Sequence, residues 1–148
     1  MEKNYVFYHK TDLARYTADA FTVRCDDDRF WKAFKYFMRS LGVKHLDPKS
    51  PAGGAKVFSS PEKESDRDFF LRELEKSMKL HAVSKVMLFT HHDCDAYGGF
   101  KAFDEDPEKE YESHAAEHKK AQGIIKEMFP DLHVETYFID EKGIIHTP

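Results

Sequence analysis

Cys25 and Cys94 are the only cysteines in the chain, and each lies in a string dense in groups that bind metals or move protons. The strings are Cys25-Asp26-Asp27-Asp28-Arg29 and His91-His92-Asp93-Cys94. If the fold brings them together, Cys25, His91 and Cys94 form a Cys2His set, the ligand mixture of a zinc site that keeps one position open for chemistry. Ligation requires both cysteines as thiolates at about 2.3 Å and a neutral imidazole at about 2.0 Å from the ion. Water could occupy the fourth position, and zinc lowers the pKa of such a water toward about 7, supplying hydroxide as a nucleophile at neutral pH. The plainer readings are two buried free thiols, ordinary for cysteines in strands, and a surface ion pair between Asp27 and Arg29.

The elements that must position these residues alternate short β-branched or aromatic runs with helical stretches. That pattern predicts an α/β, three-layer domain with a mostly parallel central sheet of four to five strands and helices on both faces. Residues 1–148 read as a single domain, with 1–20 an amino-terminal arm in which Tyr5 to Tyr8 could form a short strand or an arm packing on a neighbour and Thr11-Asp12 could cap a brief helix through Tyr16. Phe21 to Cys25 is the first expected strand, followed by a helix capped by Asp28 with Phe30, Trp31, Phe34, Phe37, Met38 and Leu41 at helical spacing. Rings on more than one face of that helix predict burial on two sides, the core and a subunit interface of a homodimer or higher homo-oligomer. A weaker strand is expected at Val43 to Leu46, a Pro- and Gly-rich loop at Asp47 to Pro61, and a helix from Ser65-Asp66 to about His81. Lys85 to Thr90 is the clearest strand, an apolar run of the kind buried on both faces of a parallel sheet, and it leads into His91. A helix from Pro107 to about Phe129, a strand at Val134 to Ile139 and a short antiparallel edge at Ile144-Ile145 complete the reading. Both cysteine strings then lie at carboxyl ends of strands, where open α/β sheets build their sites.

The composition narrows the function classes. The 148 residues carry a net charge of -4, with Lys and Arg spread among acids, so nucleic acid is not an expected partner. No apolar run approaches the roughly 18 residues that span a bilayer, and Met1-Glu2-Lys3-Asn4 lacks a secretion signal's apolar stretch, so the expectation is a cytoplasmic protein without a membrane partner. There is no Gly-rich phosphate loop. His114-Ala115-Ala116-Glu117-His118 fits the H-x-x-E-H pattern of inverted zinc peptidases, but such sites need a third ligand well downstream, and a stretch this rich in Lys, Glu and His reads as a solvated helix.

Taken together, the two cysteine strings resemble the Cys-x-Asp-x-Arg and His-x-x-Cys motifs of the β-class carbonic anhydrases, in the same order, and Pro51-Ala52-Gly53-Gly54 is similar to their Ala-Gly-Gly segment. The resemblance covers about Phe21 to Gly99. It implies a Zn2+ enzyme, with Cys25, His91 and Cys94 as ligands, that reversibly hydrates carbon dioxide to bicarbonate by a zinc-bound hydroxide. Asp27 would accept a hydrogen bond from that hydroxide and Arg29 would hold Asp27 by a bidentate pair; in some members the aspartate instead becomes the fourth ligand. The substrate is small and apolar, so Phe58, Tyr97 and Phe100 are candidate pocket walls. Relatives of this fold also hydrolyse carbonyl sulfide or carbon disulfide, and a non-catalytic zinc protein and a metal-free interaction module are the remaining alternatives. The chain departs from the family at Asp28, where Ser is usual, and at Asp95, where Gly is usual. Either carboxylate would make a bound water less acidic.

Overall fold

The computed structural model describes residues 1–148. Five strands, β1 (Ala20–Val23), β2 (Leu46–Lys49), β3 (Lys85–His91), β4 (His133–Ile139) and β5 (Ile144–Thr147), form one sheet in the order β2-β1-β3-β4-β5. The first four are parallel, and β5 returns antiparallel to β4 as the sequence predicts for Ile144-Ile145. Four helices, α1 (Trp31–Ser40), α2 (Lys56–Ser59), α3 (Glu64–His81) and α4 (Pro107–Met128), supply the outer layers.

Alternation along the strands divides the core in two. Phe21, Val23, Val86 and Leu88 face α2, α3 and α4, where Phe58, Leu74, Ala121 and Ile125 meet them. Ala20, Met87, Phe89, Tyr137 and Ile139 face the other way, against Phe34 and Met38 of α1. A strand buried on both faces needs an unbroken apolar run, and Val86 to Phe89 is one. The start of α4 follows from Asp106, whose side chain accepts the Glu108 and Lys109 amides, and from Pro107 in the first turn.

Four expectations are corrected. Residues 1–19 form neither strand nor helix, because Tyr5 to Tyr8 are exposed and have no neighbouring strand to pair with. The arm is tied down instead at Tyr16, which donates to Asp47 Oδ1 at 2.8 Å and stacks on His81. The second strand lies at Leu46–Lys49, three residues later than Val43, and takes in Pro48; as an edge strand it tolerates a residue without an N–H. The Pro- and Gly-rich loop contains the turn of helix α2. Finally, Asp28 caps nothing: Asp27 accepts the Arg29 amide to start a short 3-10 turn at Asp28–Phe30, and α1 begins only at Trp31.

Candidate metal centre

The register places Val23 of β1 beside Leu88 of β3, so Cys25, two residues past β1, comes level with the end of β3. Between these two strands the sheet order reverses, the point at which an open α/β sheet leaves a crevice at its carboxyl edge. The loop at Gly53-Gly54 closes over this point. A Cβ on Gly54 would lie 2.1 Å from the Phe89 carbonyl and 2.9 Å from the Cys25 nitrogen, and the residue has φ +56, so only glycine lets the loop come this close. The approach lets the Gly53 amide donate to Cys25 Sγ at 3.3 Å.

Cys25, His91 and Cys94 are brought together as expected. Their donor atoms all lie within 4.8 Å of one another, and all three residues are buried. The two sulfurs are 4.0 Å apart. The Nδ1 of His91 is 2.7 Å from the His92 carbonyl, which can only accept, so Nδ1 carries the proton and Nε2 presents its lone pair. That Nε2 is buried and has no hydrogen-bond partner. An orphaned imidazole lone pair facing two thiols costs free energy unless something fills the space between them, and a divalent soft cation is the group this donor set fits. Among the thiols, the hydrogen bond between them pushes Cys25 down and Cys94 up. Burial opposes charge on His91, but the negative charge that the Cys25 sulfur can carry and the His92 carbonyl outweigh it and hold the imidazole pKa above its ordinary value.

Asp27 and Arg29 form the expected bidentate pair: Nε donates to both carboxylate oxygens at 3.1 Å and Nη2 to Oδ2 at 2.7 Å. The guanidinium holds Asp27 at a pKa of about 2. Its Oδ2 is 3.8 Å from His91 Nε2, just outside the three-residue donor set. Arg29 is also held by Asp93, through Oδ2 at 3.1 Å and the backbone carbonyl at 3.0 Å.

Two groups escaped the sequence reading. Phe30 stacks on His91 with ring centroids 4.4 Å apart, and with Phe89 and Ile139 it lines a cavity of about 10 Å³ beside Cys25 and His91. Its place directly after Arg29 was the available signal. Glu110, only 1% exposed, accepts His92 Nδ1 at 2.6 Å and the Asp93 amide at 3.0 Å. No sequence signal marked it, because one buried carboxylate in a helix full of charge looks like its solvated neighbours. Of the candidate walls, Phe58, in α2, is fully buried in the core, Tyr97 packs on His114, and Phe100 packs on His92; none lines the cavity beside His91.

Residues 17–147 match a protein-family model described as "Putative carbonic anhydrase". The chain belongs to that family. Relatives include uncharacterized proteins of Rickettsia bellii, 29% identical over 131 residues (86% of this chain and 80% of that one), and of Rickettsia conorii, 28% identical over 131 residues (86% and 70%). Among solved structures, β-carbonic anhydrase isoform I of Trichomonas vaginalis has the same fold, with a TM-score of 0.60 at 15% identity over 94% of this chain and 87% of that one. A carbonic anhydrase from Glaciozyma antarctica gives a TM-score of 0.59 at 14% identity, covering 90% and 84%. In this carbonic anhydrase family member Asp28 and Asp95 both have exposed side chains, where water and salt screen their charge from the thiols. No helix is long and apolar enough to cross a membrane.

Proposed function

We propose that this chain is a zinc lyase that reversibly hydrates carbon dioxide to bicarbonate, working as a cytoplasmic homodimer. The observation that carries the reading is the buried, unpartnered Nε2 of His91 turned toward Cys25 and Cys94, with the Asp27–Arg29 pair at its edge. Cys25, His91 and Cys94 would hold the metal, which when bound acidifies water enough to supply a nucleophile at neutral pH. The protein residues do the rest. Asp27, ionised at any working pH, can only accept, so it takes the hydrogen bond of the attacking O–H and fixes where the remaining lone pair points. Arg29 keeps that carboxylate from turning. The His92 carbonyl fixes the His91 tautomer. Phe30, Phe89 and Ile139 offer no hydrogen bonds, which suits a small uncharged linear molecule and disfavours water.

Exposure of Tyr5, Val6, Phe7, Tyr8 and Leu13 on the arm, together with Trp31 and Tyr36 on α1, supports a second copy as the partner. Two free cysteines support a reducing compartment. Stopped-flow hydration of carbon dioxide by the zinc-loaded protein tests the reading. The expected result is catalysis above buffer that falls at least about a hundredfold in Asp27→Ala while zinc is retained. A rate no greater than buffer in the zinc-loaded parent would overturn it.

A further inference from the structure

Arg29 has two masters. Its Nε and one Nη2 hydrogen hold Asp27, while Nη1 and the other Nη2 hydrogen hold Asp93 by its carboxylate and its carbonyl. Asp93 is itself held by hydrogen bonds from both its backbone and its carboxylate. Its Oδ1 accepts the Phe100 amide at 2.9 Å, its own amide donates to Glu110, and its φ is +54, a left-handed conformation that Asp adopts at modest cost when local hydrogen bonds hold it. Glu110 stands in the first turn of α4, where unpaired amides favour a negative charge, and both of its oxygens are spent on the His92–Asp93 segment. The result is a continuous line of charge-assisted hydrogen bonds from α4 through Asp93 and Arg29 to Asp27.

The line ends on a group that competes for the metal seat. Asp27 Oδ2 is 3.8 Å from His91 Nε2, near enough for a small rotation to make a fourth ligand, yet outside the set of donors that already converge. What opposes that rotation is Arg29, and an arginine held only by Asp27 would move with it. We propose that Asp93 is a positioning residue: by anchoring Arg29 from the far side, with its backbone set by Glu110, it keeps Asp27 off the metal and leaves the fourth position to exchangeable ligands. This rests on the metal-binding reading above and adds a residue to it.

The test uses the full chain loaded with cobalt(II), whose visible bands report its ligands, titrated with thiocyanate as a probe of an exchangeable position. Asp93→Gly removes the carboxylate part of the anchor, leaving Arg29 only the backbone carbonyl, at a positive φ that glycine favours. The parent is expected to bind thiocyanate saturably. Asp93→Gly is expected to raise the apparent dissociation constant about tenfold, as for a position open in about one-tenth of molecules. Adding Asp27→Ala to Asp93→Gly is expected to restore binding. If Asp93→Gly fails to load cobalt, Asp93→Asn, which keeps the acceptor for Phe100 but loses the charge, is read in the same way. Thiocyanate binding unchanged in the variant, a loss that Asp27→Ala does not restore, or a cobalt-loaded parent with no response to thiocyanate would each overturn the role of Asp93 alone. A parent that takes up no metal would overturn the metal reading itself.

Discussion

Two regions of this molecule carry a pair of histidines and an acid at short spacing, and they use them in opposite ways. At the end of β3, His91 has one nitrogen spent on a carbonyl and the other free, turned to two sulfurs. In the middle of α4, His118 has both nitrogens engaged, by Thr90 at 2.7 Å and Thr147 at 2.8 Å, and Glu117 takes the hydroxyls of Ser59 and Ser60, both at 2.6 Å. His114 has two unpartnered nitrogens, but Tyr97, Phe103 and Phe138 surround it and no sulfur or carboxylate joins it in a donor set. Spacing alone does not distinguish the two regions. Convergence of free lone pairs does, and it depends on the glycine loop and the reversal of sheet order at β1 and β3 rather than on either motif.

Substitutions around the Cys25, His91 and Cys94 cluster should have the largest effects. Cys94→Ser is expected to reduce bound zinc from about one per chain to near zero, and His114→Phe to leave it unchanged; metal analysis of both proteins checks the pair. Gly54→Ala is expected to destabilise by about 4 kcal/mol, since the new methyl meets the Phe89 carbonyl and Cys25 nitrogen at a positive φ. Urea denaturation measures that loss directly.

The α4 region should instead show itself in acid. Burial first, then the neighbouring histidines, pushes His114 down to about 3, while burial pushes His118 down to about 4. Both therefore stay neutral in the folded chain when the unfolded chain, near 6.5, takes protons. The stability they allow is complete above about 6.5 and is lost as pH falls toward their folded values. Each should cost about 2 kcal/mol between pH 7 and pH 5. Metal-free His114→Phe should lose about 2 kcal/mol less than the parent over that interval; equal losses would show that His114 is not held neutral. At pH 7 the same substitution should gain about 1 kcal/mol by removing two buried, unpaired nitrogens.

The same contrast explains how much was legible in the sequence. The cysteine strings stood out because they used both cysteines of the chain, and β3 because a buried parallel strand must be apolar throughout. Pairing Asp27 with Arg29 followed from the resemblance of Cys25-Asp26-Asp27-Asp28-Arg29 to the Cys-x-Asp-x-Arg motif of the β-class carbonic anhydrases. The position of β2 was hidden because Pro48 argues against a strand unless the strand is known to be an edge. Asp93 and Glu110 were hidden more deeply. Their importance lies in hydrogen bonds between segments far apart in the chain, and the composition of α4 makes Glu110 look like any solvated acid. Phe30 read as a core ring because helical periodicity cannot show which ring will stack on a histidine from another strand.

The function proposed for this chain depends on Cys25, His91 and Cys94 holding one ion between them. X-ray absorption at the zinc edge of the purified protein measures this most directly. The expected spectrum has two sulfurs at about 2.3 Å and one imidazole nitrogen at about 2.0 Å, with a light atom completing the shell. Protein that stays free of zinc after incubation with it, or zinc without sulfur ligands, would contradict a metal centre at Cys25, His91 and Cys94.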